Sequence, residues 1–308
     1  MTQFTLTVLT SITRKNHGGA GHNKERDQVK TRLKRKKLDL KPIEIDTPRA
    51  NRWRRFIKLA KLPIFKQLLR RSAYPDGLEN QTGTPIPINV SLNYEDQILP
   101  YKVTEYFINK AGTIVLMNCP CRTANKCKNH DVTLGCTWLG RGASKIDRTK
   151  WPGARLATKE EALEHERLAY ENGLVPHLGK LRTDAAIYDV LDYENEFMSI
   201  CHCCPCCCIV SLVKYGPYEY SQVIKRMEGV EVRVDVDKCV GCGTCFKVCI
   251  YNGLEMKNDK ATIDQENCKG CGRCERVCPN KAISISIDDY RHIDELIARF
   301  ESKVDISN

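Results

Sequence analysis

A cysteine spacing that occurs twice near the C-terminus constrains the fold of this chain more than any other feature of its sequence. The segment CVGCGTCFKVC has the spacing C-x₂-C-x₂-C-x₃-C, and CKGCGRCERVC repeats it 29 residues later. Neither a helix, a strand nor an apolar core needs so many thiols at so regular a spacing. Two identical copies therefore indicate a duplicated unit that gathers thiolates around a metal group.

The repeated spacing predicts two [4Fe–4S] clusters in a ferredoxin-like module. The first three thiolates of each motif bind one cluster, and the fourth reaches the other cluster. One cluster is therefore expected on Cys239, Cys242, Cys245 and Cys278, and the other on Cys268, Cys271, Cys274 and Cys249. A pair of zinc sites is the alternative, but zinc ribbons use two C-x₂-C pairs separated by a longer loop.

Glycines inside the two motifs should allow the backbone to turn tightly around each cluster and to aim N–H groups at its sulfurs. These glycines are Gly241, Gly243, Gly270 and Gly272. Pro279 follows the last cysteine, as the motif prefers, whereas Ile250 occupies the equivalent position after Cys249. We expect this departure to change packing and to leave ligation intact.

Ten further cysteines lie upstream in two groups. The first group has the spacing C-x-C-x₅-C-x₈-C and comprises Cys119, Cys121, Cys127 and Cys136. Four thiolates can saturate one metal site, so the group predicts a third centre, with an iron–sulfur cluster and zinc as the alternatives. Nearby cations would either raise the potential of an anionic cluster or form a solvated loop; they are Arg122, Lys126 and Lys128.

The second upstream group is the segment CHCCPCCC at residues 201–208, whose cysteines are Cys201, Cys203, Cys204, Cys206, Cys207 and Cys208. Six thiolates so close in sequence cannot all bind one cluster, because neighbouring side chains diverge. Pro205 excludes a continuous helix through the segment. Three uses remain open: a further centre, a site shared with the first group, or exposed redox thiols.

The positive charge of the chain lies in its N-terminal part. The net charge is +11, yet residues 1–71 carry 20 Lys plus Arg against 5 Asp plus Glu, and the rest carries 29 against 33. We expect a poorly ordered stretch to about residue 48, then a basic amphipathic helix or helix pair over residues 53–69, interrupted at Pro63. This arm could contact a membrane surface, and it carries no nucleic-acid-reading motif.

Local patterns predict several further elements. Residues 75–100 resemble a loop-rich linker, residues 101–109 a helix, and TIVLMN a short strand that leads to Cys119. A capping box at residues 158–161 should open a helix that Gly173 ends. Near the C-terminus the spacing of Ile293, Leu296, Ile297 and Phe300 indicates an amphipathic helix that packs on its own domain.

These features predict an α+β fold with a basic N-terminal extension at residues 1–75 that is partly disordered or helical. A cysteine-rich α/β metal-binding domain would follow at 76–228, a dicluster ferredoxin module of ββα repeats at 229–288, and the amphipathic helix at 289–308. The sequence has no signal peptide and no run of about 18 apolar residues. We therefore expect a cytoplasmic protein with reduced thiols and no transmembrane segment.

The order of CPCR, GCTWLG, KEEALEHERLAYENGLVPH and ICHCCPCCC before the two motifs resembles a family of prokaryotic 4Fe–4S dicluster-domain proteins. Members of that family carry a cysteine-rich domain with a C-x-C-R start and an ICNCCGCCC-like run. The resemblance covers about residues 99–288. His202 stands where asparagine is common, and Pro205 where glycine is common. The resemblance implies iron–sulfur redox function and names no substrate.

The sequence as a whole predicts an iron–sulfur electron-transfer protein of anaerobic or low-potential metabolism that works with redox partner proteins. The alternative is a redox enzyme or enzyme subunit with a catalytic cysteine or cluster site at residues 201–208. No G-x-G-x-x-G or P-loop signature supports a defined reaction. An iron–sulfur regulator that binds nucleic acid through the basic arm ranks third, so nucleic acid is not an expected partner.

Overall fold

The computed structural model describes residues 55, 57–73, 77–88, 90 and 99–308. The stretch to about residue 48, for which the sequence predicts poor order, lies outside these residues. Helix α1 begins at Pro63, where the sequence predicts an interruption. Within the described part of the chain, no helix is both long and apolar enough to cross a membrane.

Helices and strands both occur, so the fold is α+β. The further helices are α2 (Leu99–Lys110), α3 (Pro120–Ala124), α4 (Arg141–Ser144), α5 (Lys159–Glu171), α6 (Arg182–Ile187), α7 (Tyr218–Ser221), α8 (Arg273–Val277) and α9 (Arg291–Glu301), with α1 spanning Pro63–Ala73. The strands are β1 (Thr82–Pro85), β2 (Ile114–Leu116), β3 (Thr137–Leu139), β4 (Arg155–Leu156), β5 (Val175–Lys180), β6 (Met198–Cys203), β7 (Val230–Val234), β8 (Leu254–Lys257), β9 (Lys260–Ile263) and β10 (Ile283–Ile287). Short 3₁₀ turns span Arg148–Lys150, Leu191–Glu196, Ile209–Tyr215 and Thr244–Lys247.

A six-stranded antiparallel sheet forms the upstream part, with strand order β1-β5-β6-β3-β2-β4. Strand β6 lies inside this sheet between β5 and β3. In the β3–β6 register Thr137 faces Ile200, and in the β5–β6 register His177 faces Cys201. The first three residues of CHCCPCCC are therefore the end of an interior strand.

The prediction of a loop-rich linker over residues 75–100 is wrong for its middle part. Strand β1 pairs with β5 from Thr82 to Pro85, and Ile86 and Ile88 are fully buried just after it. Proline is tolerated here because β1 is an edge strand, where a missing N–H costs no ladder hydrogen bond. Tertiary pairing thus outweighs the local proline signal.

The two faces of the sheet pack against different elements, because successive side chains on a strand point to opposite faces. Leu139, Leu178 and Ile200 join a core with residues of α2, α5 and α9. Trp138 lies in a second core, where its ring stacks on Phe197 at 5.0 Å between centroids. The chemistry of the two faces can therefore differ along one strand.

Helix α5 begins with the predicted capping box. The Thr158 hydroxyl accepts a hydrogen bond from the Glu161 N–H, and the Glu161 carboxylate accepts one from the Thr158 N–H. Gly173 follows the helix with φ +79°, a conformation that glycine adopts without strain. The side chains that α5 buries are Ala162, His165, Glu166 and Ala169.

The C-terminal module contains two small antiparallel pairs, β7 with β10 and β8 with β9. The 3₁₀ turn Thr244–Lys247 and helix α8 start directly after Gly243 and Gly272, whose φ angles are +72° and +85°. Val232 and Ile283 of this module share a hydrophobic core with Ile200 of the upstream sheet. The module therefore packs directly on the cysteine-rich part of the chain.

Helix α9 confirms the predicted C-terminal amphipathic helix and its packing on the same chain. It buries Ile293, Leu296 and Phe300, and the Phe300 ring lies 5.8 Å from that of Phe107. Arg299 donates hydrogen bonds to Glu228 and to the hydroxyl of Thr84. The helix thereby ties the C-terminus to the first strand of the upstream sheet.

Candidate metal centres

Two cavities lie in the C-terminal module. The cysteines that line one of them are Cys239, Cys242, Cys245 and Cys278. The cysteines that line the other are Cys249, Cys268, Cys271 and Cys274. Each cavity thus receives three sulfurs from one motif and the fourth from the other motif. We call them the first and second cavities.

Backbone N–H groups point at several of these sulfurs. The Gly253 N–H donates to the Cys249 Sγ at 3.3 Å, and 29 residues later the Ala282 N–H donates to the Cys278 Sγ at 3.2 Å. The Ala261 N–H donates to the Cys239 Sγ at 3.4 Å. Such bonds stabilise a negative thiolate and the charge that a cluster gains on reduction. The donor set and its surroundings fit a pair of iron–sulfur clusters.

Comparison with known families agrees with this geometry. Residues 232–285 match the family model described as the 4Fe-4S dicluster domain. The C-terminal module is therefore similar to a 4Fe-4S dicluster domain, and we call it the dicluster domain. No curated protein sequence matches the chain significantly. The family match confirms the ferredoxin part of the resemblance, and the upstream cluster of cysteines described below is consistent with the rest.

Upstream of the dicluster domain, four cysteines from both sequence groups come together. Their sulfur atoms all lie within 4.8 Å of one another, and they belong to Cys127, Cys204, Cys206 and Cys207. We call this set the four-thiol site. The structure thus separates Cys127 from the other members of its sequence group and joins it to CHCCPCCC. Sharing between the two groups was one of the open alternatives.

The compactness of the four-thiol site fits one tetrahedral metal ion. A metal–sulfur bond of about 2.3 Å places tetrahedral thiolates about 3.8 Å apart, and the Cys127 and Cys206 sulfurs are 3.6 Å apart. A cubane binds one thiolate on each of four irons, so its thiolates stand farther apart. Among the described residues, the dicluster cysteines do not form so compact a group. The four-thiol site is therefore suited to a single tetrahedral metal ion.

The turn at Pro205 builds this site after β6 ends at Cys203. It brings the Cys207 N–H to the Cys204 Sγ at 3.3 Å, and the apolar side chains of Leu134 and Ala169 pack beside the thiols. Hydrogen bonds from the Cys206 and Cys207 thiols hold the pKa of Cys204 well below its usual range. A thiolate at this position is the form that binds a metal.

Arg122 is fully buried beside the upstream thiols, which excludes the solvated-loop interpretation for this residue. Its Nη1 donates to the His202 carbonyl at 2.7 Å, and its Nη2 donates to the Leu134 carbonyl. Burial opposes its charge, but neighbouring thiolates outweigh burial and raise the pKa of Arg122. Lys126 and Lys128, in contrast, are exposed.

Histidines near the sites are held by hydrogen bonds. His130 Nδ1 lies 3.1 Å from the Asn172 Oδ1. His202 Nε2 lies 2.9 Å from the Glu166 Oε1, and both side chains are buried. Burial lowers the pKa of His202, but the Glu166 carboxylate more than compensates and the pKa is raised. This pair fastens β6 to α5.

The remaining upstream cysteines lie near enough to interact electrostatically with one another, and we call this second set the six-thiol site: Cys119, Cys121, Cys136, Cys201, Cys203 and Cys208. Within it the Cys136 and Cys201 sulfurs lie 3.1 Å apart, and the Cys203 and Cys208 sulfurs lie 3.0 Å apart. A hydrogen bond from Cys121 lowers the pKa of Cys119 to about 6. All of these cysteines are free thiols.

Sequence reasoning missed two residues of these centres, Glu166 and Arg273. Glu166 occupies the apolar face of α5, and a carboxylate at such a position is a signal for a buried polar partner. Arg273 lies between two cysteines of the second motif, and its side chain is 4% exposed. Nothing in the motif distinguishes that arginine from a surface residue.

Proposed function

We propose that the protein transfers electrons through two [4Fe–4S] clusters in the dicluster domain and holds zinc in the four-thiol site. The observation that carries this proposal is the lining of the two cavities, each with three cysteines of one motif and the fourth of the other. A [4Fe–4S] cluster, when bound, exchanges one electron at a time. Cysteines 239, 242, 245 and 278 would hold one cluster, and cysteines 249, 268, 271 and 274 the other.

The surroundings of the two cavities suit reversible electron exchange. Ile283 is buried in the lining of the first cavity, where it excludes water from the cysteines, while Cys242 is exposed. The donors Gly253, Ala261 and Ala282 hydrogen-bond to ligand sulfurs and stabilise the reduced state. The exposed Cys242 edge gives electrons a short path to a partner at the surface.

A lysine-lined cleft beside the dicluster domain suits an acidic redox partner. Lys61, Lys66, Lys214 and Lys269 line the cleft. Tyr251 and Lys269 line both this cleft and the second cavity. Positive charge at that position would steer an acidic protein toward the second cluster. We place the protein in a reducing cytoplasm, since these sites require reduced thiols.

The enzyme alternative would need substrate to reach residues 201–208. Their cysteines are mostly buried: Cys203, Cys204, Cys206, Cys207 and Cys208 are each between 1% and 7% exposed. Buried thiols favour metal ligation over contact with a substrate. We therefore assign this segment to metal binding.

The test is metal and sulfide counting on the full chain purified without oxygen. The proposal expects about eight irons from the two cubes, together with about one zinc. Replacing Cys127 and Cys206 with serine should remove the zinc and leave the dicluster electron paramagnetic resonance (EPR) spectrum unchanged. The matched control is Lys128→Ala, which alters an exposed residue beside Cys127. Fewer than eight irons after full reconstitution would contradict the dicluster assignment.

A further inference from the structure

We propose that the six-thiol site holds a second upstream metal centre, an iron–sulfur group with at least two irons, next to the second cavity. This inference rests on the proposed function, because it adds a centre to the same electron-transfer protein. It assigns to one site the six cysteines Cys119, Cys121, Cys136, Cys201, Cys203 and Cys208. The four-thiol site stays separate.

Alternation along β6 separates the two sites. Cys201 and Cys203 are two residues apart, so they share one face of the strand, with their Cα atoms about 6.6 Å apart. His202 lies between them and points to the other face, where Glu166 of α5 binds it. Cys204 follows in the same alternation and contributes to the four-thiol site.

Strand register brings a partner thiol to Cys201. Thr137 of β3 faces Ile200 of β6, so the preceding residue, Cys136, faces Cys201. Their sulfurs are 3.1 Å apart, and the Cys203 and Cys208 sulfurs form a second pair at 3.0 Å. The site therefore presents adjacent thiol pairs on one face of an interior strand.

The number and pairing of the thiols favour more than one metal ion. Two thiolates on one tetrahedral ion stand about 3.8 Å apart, so each measured pair can bind one ion with a small adjustment. A single tetrahedral ion takes four ligands, and six are present. If each pair of thiolates binds one iron of a group with neighbouring irons, all six cysteines can act as ligands.

Two buried guanidinium groups require negative charge at this place. Arg122 and Arg273 are 0% and 4% exposed, and they donate hydrogen bonds to the backbone carbonyls of His202, Leu134 and Cys203. Arg122 also hydrogen-bonds to the Cys204 thiol of the four-thiol site. Neither forms an ion pair with a carboxylate in that part of the chain. A buried cation without an anion is strongly destabilising. Metal-bound thiolates would supply the missing charge.

Both arginines also keep buried N–H groups for which the described residues offer no acceptor. These are the Nε of Arg122 and the Nε and Nη1 of Arg273. Buried donors are rarely left without a partner. Bridging sulfides of an iron–sulfur group accept such hydrogen bonds. A zinc site would offer these donors thiolate sulfurs alone, whereas an iron–sulfur group offers bridging sulfides as well, so the three donors favour iron.

Arg273 joins the six-thiol site to the dicluster domain. Its Nη2 donates to the Cys203 carbonyl at 2.7 Å, and its side chain lines the second cavity with Cys271 and Cys274. Tyr251 is buried in the lining of the same cavity. One guanidinium thus contacts both sites and should influence the reduction potential of each.

The test compares the full chain with a Cys136→Ser/Cys201→Ser variant after anaerobic reconstitution with iron and sulfide. The native chain should bind at least two irons beyond the roughly eight of the two cubes. The variant should lose that excess and keep its zinc and its dicluster EPR spectrum. The matched control, Cys127→Ser/Cys206→Ser, should lose zinc and keep all of its iron.

The outcomes separate this inference from the proposed function. Eight irons with no excess in the native chain, or zinc in place of the excess iron, would overturn this inference alone. Fewer than eight irons would overturn the dicluster assignment instead.

A second variant tests the site without removing a thiol. Arg273→Gln should keep the iron content and lower the reduction potentials of both the extra centre and one dicluster cluster, because it removes a buried positive charge. Arg273→Lys should restore part of each shift. If an Arg273→Gln variant with its full iron content had unchanged reduction potentials, Arg273 would not contact both sites, and the inference would be contradicted.

Discussion

Single residues decide how charge is balanced around the thiols. Arg122 and Arg273 bring buried positive charge, and Glu166 balances His202 on the opposite face of β6. Backbone N–H groups at Gly253 and Ala282 occupy equivalent positions in the two repeats. Substitutions at Arg122, Arg273 or Glu166 should therefore change the charge balance around the thiols.

The exchange of ligands between the two motifs can be tested at Cys278. Cys278→Ser should remove the cluster of the first cavity and about four of the eight dicluster irons, because this sulfur lines that cavity. Adding Cys239→Ser should cause no further loss, whereas adding Cys268→Ser should remove the second cluster too. Iron analysis with EPR measures both results. Equal losses in the two double variants would contradict the exchange.

Asp184 predicts a pH dependence of stability. Burial raises the pKa of Asp184 to about 7, although a hydrogen bond from Ser199 at 3.3 Å opposes the rise. The folded state then holds a proton that the unfolded chain releases near pH 4, so this contribution to stability falls as pH rises from about 4 to about 7.

Asp184→Asn should remove that dependence and stabilise the protein above neutral pH by at most about 4 kcal/mol. Urea unfolding at about pH 5 and about pH 8 measures the free energy of unfolding of both proteins. Asp192→Asn, at an exposed position, is the matched control. The prediction would be contradicted if the variant and the native protein differed in free energy of unfolding by the same amount at both pH values.

Among the secondary-structure elements, β6 and α5 organise the upstream centres. Strand β6 sends alternate side chains to the two faces of the sheet, and α5 covers one face with Glu166 and Ala169. Strand β6 lies inside the sheet. A shift of its register by one residue would turn every side chain to the opposite face and disrupt the hydrophobic cores on both sides. The stability of α5 should therefore support the four-thiol site.

The capping box offers a test of that support. Thr158→Ala removes the acceptor for the Glu161 N–H and should lower the free energy of unfolding by about 1 kcal/mol. Urea unfolding measures the change. Ser284→Ala, on an exposed position of β10, should change stability far less. An equal effect of the two substitutions would mean that the cap does not stabilise the fold.

At the scale of the whole molecule, the dicluster domain and the cysteine-rich sheet share a core and a buried arginine. Val232 and Ile283 pack with Ile200, and Arg273 reaches the Cys203 carbonyl. The lysine-lined cleft opens beside the second cavity. The second cavity therefore adjoins both the shared core and the cleft that we propose for an acidic partner.

The cleft predicts how electron uptake depends on salt. Reversing charge with Lys61→Glu/Lys214→Glu should slow reduction by the anion dithionite about tenfold at low ionic strength. Stopped-flow absorbance would follow the reaction, and added salt should reduce the difference. Lys145→Glu/Lys150→Glu, at two exposed positions outside the cleft lining, is the matched control. Equal slowing by the control would assign the effect to net charge instead of the cleft.

The sequence alone was enough to locate the dicluster motifs, the capping box of α5 and the amphipathic stripe of α9. Each depends on spacing within a few turns of the chain, and local geometry is set by local sequence. The same reasoning failed at residues 82–85, because prolines that indicate a loop are also compatible with an edge strand.

Only the tertiary structure decided how the ten upstream cysteines divide. Cys127 meets Cys206 across 79 residues, and Arg273 meets Cys203 across 70. Such contacts depend on the face of the sheet to which each β6 side chain points and on the register of β6 with β3. The spacing of the cysteines specifies neither. A strand reverses the direction of its side chains at every residue. For that reason CHCCPCCC, which is continuous in sequence, is divided between two sites in space.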